Sequence, residues 1–507
     1  MELLPSSSTS SAKQQTIEWI DRRENTPLNA CSLEVLHHHR HHRNHHHNLR
    51  HDKVNENISS SISDDIIETE VTDYHPLVIG CYQLNEKKEE EEGNVNNNDN
   101  EDDDENNNEE SSSSVATRSG ALLLHMIPFA NNNNDNNNVH DEKISYPNLK
   151  FGKADQILHT SSGVLDGKWF QRSAIPFVHN NNDDDNNNVN NTSTRYMYAT
   201  AGASGSIEIY QLFKQIESFN ENLHHETKYQ LDFIASSESC SDEYGLALAL
   251  DWDENIDITN STNNSTRIVS SYSKGSIAIH NVKLSIENYD DDDDDKKKYH
   301  LEENQRWDAH TLFGCAAEVW TVCFATNINY STYTNNVISG GDDCRMKLWD
   351  LRTCGSGGKP IHSIGDEEFS AGVTTLSYHP SLEHVFCSGS YDEWIRLWDM
   401  RKLSCSNDHQ EPMGRIGVGG GVWRAKWHPM QNEKLLVAAM HGGCRIVNIP
   451  CLLNTQLEMN VSECEMNIVK EFIHHKSMAY GADWIHLDGK YEAAASCSFY
   501  DRQAFIW

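Results

Sequence analysis

One position recurs in this chain with residues that can do chemistry. Seven residues before the end of a repeated strand stand Asp342, Tyr391, His441 and Tyr500, with Ala203 and Ser273 at two further matching places. The start of another repeated strand supplies Glu318 with Trp320, and Trp423. The segment His474-His475-Lys476-Ser477 and the nearby Tyr480 add to the set. Ring faces with a carboxylate hold a quaternary ammonium, and a histidine beside them can act as a general base. The same residues also read as a rim that docks another protein, and spacing alone favours that plainer reading.

The elements that must position these residues are written as a repeat. Val337–Asp350 and Phe386–Asp399 carry one pattern, 49 positions apart: an apolar strand, a tight turn of small residues, and a second strand ending Leu-Trp-Asp. Each copy is a β-hairpin with one buried face. A lone hairpin cannot bury that face, so a period of this length implies stacked blades. Weaker copies end at His125, Tyr210, His280, Asn448 and Trp507, which with Trp349 and Trp398 makes seven. A second series marks the first strand of each blade: Thr16–Trp19, Leu165–Trp169, Leu248–Trp252, Trp320–Phe324, Thr374–Tyr378, Trp423–Trp427 and Tyr480–Trp484. It also counts seven. The expectation is an all-β, seven-bladed WD40 β-propeller spanning 1–507 as one domain. Its closing aromatics (Trp19, Trp169, Trp252, Trp427, Trp484) belong to the core. The chain stops at Trp507, so the outer strand of blade seven is expected from residues before Thr16.

Six residues before the strand end stand Asp343, Asp392 and Asp501, with His310 in the loop before the fourth blade. A buried carboxylate satisfied by a histidine and backbone donors is a structural device, so these four are read as structural. Ser204, Lys274 and Gly442 at the matching places lack it.

Composition bounds the rest. Long low-complexity insertions, expected to be disordered, fall at about 21–70, 86–116, 131–145, 179–194, 253–266 and 288–300. They hold about half of the formal charge of −36, so that charge says little about a partner. The chain offers no basic face, which speaks against nucleic acid. Nine histidines in 37–51 lie in a homopolymeric tract, more readily an insertion than a metal site. Thirteen cysteines without a CxxC pair point to free thiols in a reducing compartment. No 18-residue apolar run and no signal-like start occur, so no membrane and a cytoplasmic location are expected. There is no Gly-x-Ser-x-Gly elbow, the nearest string being Gly202-Ala203-Ser204-Gly205 of a blade turn. P-loop, HExxH and dinucleotide fingerprints are also lacking, and no metal or cofactor is expected.

Several strings carry a more specific likeness. Gly80-Cys81-Tyr82-Gln83-Leu84, Leu165–Trp169, Gly389–Glu393, Gly420–Pro429, Met440-His441-Gly442-Gly443, Tyr480–Trp484 and Cys497–Asp501 occur in this order. Together they resemble the WD-repeat diphthine methyl ester esterase family of the diphthamide pathway. The resemblance implies hydrolysis of the methyl ester of methylated diphthine on elongation factor 2, which frees a carboxylate for the final amidation. Elongation factor 2 is then the partner, along with other proteins of the pathway. His441 is assigned as general base and His475 as an alternative base. Asp342 or Glu318 orients or binds the cation. Tyr391, Trp423 and Tyr480 form the cage and oxyanion neighbourhood, with Trp320 and Tyr500 beside them. Where a histidine often follows Ser-Phe-Tyr-Asp in the family, this chain has Arg502. The alternative is a non-catalytic WD40 adaptor that supports the amidation.

Overall fold

In the computed structural model, seven antiparallel sheets follow one another around a central channel, six of them four-stranded and the second widened by a short fifth strand, Ile175–Phe177. The described residues are 24–25, 29–36, 74–85, 117–128, 153–171, 175–177, 193–219, 224–254, 265–285, 298–326, 332–354, 357–365, 367–403, 411–453, 464–487 and 491–507. The protein is a seven-bladed β-propeller, with helix in the described residues limited to Ser241–Tyr244, Met400–Leu403 and a 3₁₀ turn at Pro450–Leu453.

Blade 1 runs Asn29–Val35, Tyr74–Asn85, Thr117–Pro128, Gln156–Thr160. Blade 2 runs Val164–Trp169, Ser193–Gly202, Ile207–Phe219, His224–Ser236, and blade 3 Ala247–Trp252, Ser265–Tyr272, Ser276–Ser285, Lys298–Asp308. Blade 4 is Thr321–Phe324, Asn336–Gly341, Arg345–Asp350, His362–Ile364, and blade 5 Val373–Tyr378, Val385–Ser390, Trp394–Asp399, Gly414–Gly417. Blade 6 is Arg424–Trp427, Lys434–Ala438, Cys444–Asn448, Asn467–Phe472. Blade 7 is Ala479–Leu487, Tyr491–Ser498, Gln503–Ile506, and its outer strand is Glu24–Asn25 from the other end of the chain. That pairing, Glu24 with Ala504 and Asn25 with Gln503, covers the edge an open blade would leave.

Two expectations about the N-terminal region are corrected. The first strand of blade 1 is Asn29–Val35, not Thr16–Trp19, which lies outside the described residues, and the closing strand follows Thr16 instead of preceding it. The expected insertion at 21–70 therefore contains two strands. Asn29–Val35 is buried along almost its whole length and pairs with Tyr74–Asn85. It was hard to see because Val35 stands where four other blades place a closing tryptophan. Strands also reach slightly into the expected insertions at 179–194, 253–266 and 288–300, starting at Ser193, Ser265 and Lys298. The remaining expected insertions and the histidine tract lie outside the described residues. Ten of the described cysteines are free thiols, as expected, and one pair departs from that reading: Cys451 and Cys464 form a disulfide next to the outer strand of blade 6.

Inside the blades one motif fixes the turns. In blade 4, Trp349 Nε1 donates to Ser339 Oγ at 2.8 Å, and Ser339 Oγ lies 2.7 Å from His310 Nε2. His310 Nδ1 lies 2.7 Å from Asp343 Oδ1, and Lys347 Nζ bonds the other carboxylate oxygen at 2.9 Å. Blade 5 keeps Trp398 on Ser388, while Arg396, at the position of Lys347, bonds Asp392 with both terminal nitrogens. Blade 7 keeps Trp507 and His475 on Ser496, and Asp501 accepts from the backbone N–H of Lys476 and Gln503.

Burial pushes His125, His280, His379 and His475 down to about 4. Each binds a proton less readily folded than unfolded. The stability they contribute is present above their ordinary value near 6.5 and is lost as pH falls toward 4. Glu34, raised by burial, works in the opposite sense, one carboxyl against four imidazoles. The thermal midpoint should therefore fall between about pH 7 and about pH 5, and a His475→Gln variant should show a smaller fall in the same scan.

Candidate functional site

The first strand of each blade lines the channel, entering it from the face that carries the turns between second and third strands. Side chains alternate along a strand, so the residue before each closing ring looks into the channel. These are Glu34, Lys168, Asp251, Lys426 and Asp483, with Cys323 and Ser377 in blades 4 and 5. Two residues earlier, one tier nearer the mouth, most blades are small or neutral (Ser32, Ala249, Thr321, Thr375, Gly481). The exceptions are Asp166 of blade 2 and Arg424 of blade 6. These blades are not neighbours, so their pair at 2.9 Å must cross the channel. Asp166 also accepts the backbone N–H of Leu250 at 3.2 Å. Below them Lys426 pairs with Glu34, and Lys168 with Asp251 at 2.9 Å. Asp483 accepts the N–H of Val35 at 2.9 Å. These pairs make a charged floor.

Aromatic rings stand over that floor. The ring centroids of Trp320, Tyr391 and Trp423 form a triangle with sides of 6.1, 5.7 and 6.2 Å. From Trp423 the row continues edge-on to Tyr480 at 4.8 Å, then to Phe499 at 5.4 Å and Tyr82 at 4.9 Å. Six rings from blades 4, 5, 6, 7 and 1 thus arc around the mouth. Asp342 joins the triangle by accepting from Trp320 Nε1 at 3.2 Å. Its own N–H bonds Glu318 O at 2.8 Å, which fixes the loop carrying both. A Cβ on Gly372 would come within 2.7 Å of Asp342 Oδ1, so this approach depends on glycine.

A cation seated over the triangle comes within roughly 6 Å of all three ring centroids, and the Asp342 carboxylate adjoins the triangle through Trp320 Nε1. The underside of Trp423 is already covered by the Arg424 guanidinium at 5.6 Å. Burial raises the phenols of Tyr391 and Tyr480, Tyr480 to about 12, so both keep their O–H donors near neutrality. Trp423 Nε1 is buried and has no hydrogen-bond partner among the described residues. An orphan donor of that kind is expensive, and it leaves an N–H ready for an acceptor.

The residues expected at the site divide. Trp320, Tyr391, Trp423, Tyr480 and Asp342 come together, and Glu318 supports them through its backbone. Tyr500 is exposed and reaches the row only through Phe499, at 4.8 Å. His441 is exposed in the blade 6 turn, and no hydrogen bond or ring contact joins it to the row among the described residues. Its neighbour Met440 does border the row: a Cβ on Gly421 would meet Met440 Sδ at 3.2 Å and Tyr391 at 3.5 Å. His475 is a correction. It sits inside blade 7 against Phe472 and Phe505 with Nε2 on Ser496 Oγ, as His310 sits on Ser339, so its ring is turned into the blade. Arg502 ties the blade 7 turn to Asn29 Oδ1 at 3.0 Å, a closure contact.

The WD domain, G-beta repeat pattern matches residues 306–350 and 358–399. The diphthine methyltransferase homolog of Dictyostelium discoideum is 30% identical over 367 residues, covering 71% of this chain and 79% of that protein. The chain belongs to the diphthine methyltransferase family. The mouse diphthine methyltransferase is 30% identical over 64% of this chain, and the human one 32% identical over 56%. The chain spans about half the length of those two relatives, 53% and 51%.

For this family member, sequence reasoning missed the channel floor and the far end of the ring row. The charges before the closing tryptophans (Lys168, Asp251, Lys426, Asp483) repeat at one register and were open to being read. Asp166 and Arg424 lie 258 residues apart, and only blade order brings them together. Asp166→Asn should destabilise the fold by about 3–5 kcal/mol in urea unfolding, because it leaves Arg424 unpaired in a nearly closed channel. The double variant Asp166→Leu/Arg424→Met should recover most of that loss.

Proposed function

We propose that this protein hydrolyses the methyl ester of methylated diphthine on elongation factor 2, yielding the free carboxylate that diphthamide synthesis amidates. The observation that carries the reading is the triangle of Trp320, Tyr391 and Trp423 closed by Asp342. The modified side chain bears a trimethylammonium, whose charge cannot be hydrogen-bonded and is best met by ring faces and a nearby carboxylate.

With the cation held there, the ester carbonyl lies toward the free N–H of Trp423 and the phenol O–H groups of Tyr391 and Tyr480. These donors suit the oxyanion of a tetrahedral intermediate. Water attacks the carbonyl carbon while His441, on the turn bordering Tyr391, takes its proton. As the intermediate collapses, the C–O bond to methoxide breaks and the protonated His441 returns the proton, releasing methanol. Asp342 serves the cation. The Arg424–Asp166 floor keeps a positive guanidinium under Trp423 and is disposed to favour a product that has gained a negative charge.

The relatives' name describes methyl transfer, and an adaptor role is the third reading. One experiment separates them. Elongation factor 2 carrying methylated diphthine is incubated with the purified protein, with and without a methyl donor, and read by intact mass. The proposal expects a product lighter by one CH2 without donor, with release of methanol and the trimethylammonium retained. On elongation factor 2 whose diphthine carries the free carboxylate, a product heavier by one CH2 that appears only with donor would establish transfer. Binding with no mass change would leave an adaptor.

A further inference from the structure

A short hairpin stands beside the mouth with an exposed aromatic tip. Thr311–Leu312 pairs with Cys315–Ala316 in the connection from blade 3 to blade 4, and Phe313 and Gly314 make its turn. Both turn residues have positive φ, 51° and 80°, the pattern of a two-residue primed hairpin turn. Asparagine adopts the first of these positions readily, whereas a bulky ring there is unusual. The Phe313 side chain gains no packing in return: it is 97% exposed. The hairpin's base is held firmly. Ala317 N–H bonds His310 O, and His310 is locked on Asp343 and Ser339. The finger is thus rigid at its root, strained at its tip, and only a few residues from Glu318 and Trp320.

Its surroundings identify what it touches. Of the eleven large apolar side chains exposed among the described residues, Leu312, Phe313, Trp394, Ile473 and Tyr500 lie on the connections and turns that surround the mouth. On the same face the exposed acids Glu238, Asp242, Glu243, Glu367 and Glu393 outnumber Arg118, Lys274 and Lys476. A small ester needs none of this.

We infer that Phe313 is a docking finger for the folded protein that carries the methylated side chain, seating in an apolar socket with a basic rim beside the modified residue. The inference rests on the hydrolase reading for the identity of that partner. When the modified side chain enters the ring row, the partner's surface must cover this face, and Phe313 is the most exposed large apolar side chain on it. A buried aromatic anchor surrounded by complementary charge is the usual energetic centre of such an interface.

The test uses the full chain and two substrates, intact elongation factor 2 carrying methylated diphthine and a short peptide bearing the same side chain. Phe313→Asn suits the turn, so its thermal midpoint should be equal or higher, while its Kd for the intact protein should weaken by about tenfold or more. Peptide turnover should be unchanged, and Phe313→Trp should retain protein binding. An unaltered Kd in Phe313→Asn overturns the finger even where hydrolysis is observed. Weakened protein binding by a chain that hydrolyses neither substrate upholds the finger and removes the hydrolase reading. Equal loss on peptide and protein places Phe313 in the site itself and also overturns the docking role.

Discussion

The channel's charge pairing is the constraint on which the site depends. Seven first strands converge on one axis, and four acids (Glu34, Asp166, Asp251, Asp483) and three bases (Lys168, Arg424, Lys426) look into it. In so confined a space an unpaired charge would cost several kcal/mol. Pairing spreads across blades that do not touch: blade 6 reaches blade 2 through Arg424 and blade 1 through Lys426. Such long reaches fix the blades' relative rotation in a way that apolar packing between neighbours does not. The Arg424–Asp166 pair spans the channel one tier below the turns that carry the aromatic rings.

The turns complete the positioning. Asp342 lies next to Asp343, which is held by His310 and Lys347, so the carboxylate that faces the site inherits the rigidity of the one that faces the blade. Tyr391 stands in the same relation to Asp392 and Arg396. In both blades a buried ionic group sets a neighbour's direction, and the half-buried neighbour faces the mouth. Blade 7 follows the rule with Tyr500 before Asp501, although there Phe499, one position earlier, supplies the ring that joins the row. Blade 6 has Gly442 at the anchoring position, and its turn residue His441 is correspondingly unpinned.

Much of this was legible because it is local and periodic. The hairpins around Trp349 and Trp398 announce themselves by their spacing, and a residue's offset from the strand end predicts the face it occupies. That logic gathered Trp320, Tyr391, Trp423 and Tyr480, whose rings are neighbours in the structure. It failed where a strand lacks the marker, as at Val35, and where function comes from pairs distant in the chain, as with Asp166 and Arg424. It also misread His475. The string His474-His475-Lys476 looks like a polar site, yet its middle residue turns inward to Ser496, a choice set by the facing strand. Phe313 carried no signal at all, since a lone Phe-Gly in a loop has meaning only once its ring is known to be uncovered.

The central claim is that the rings of the mouth, with Asp342, receive a cation. It is tested most directly by calorimetric titration with two shape-matched ligands. One is a trimethylammonium amino-acid methyl ester, and the other its neutral analogue with a tert-butyl group in place of the trimethylammonium. The account predicts measurable binding of the charged ligand and a loss of about tenfold or more for the neutral one. It also predicts that this difference shrinks in Asp342→Asn and Trp423→Leu. Equal affinity for the two ligands would contradict it, because binding would then follow shape and apolar contact and owe nothing to charge.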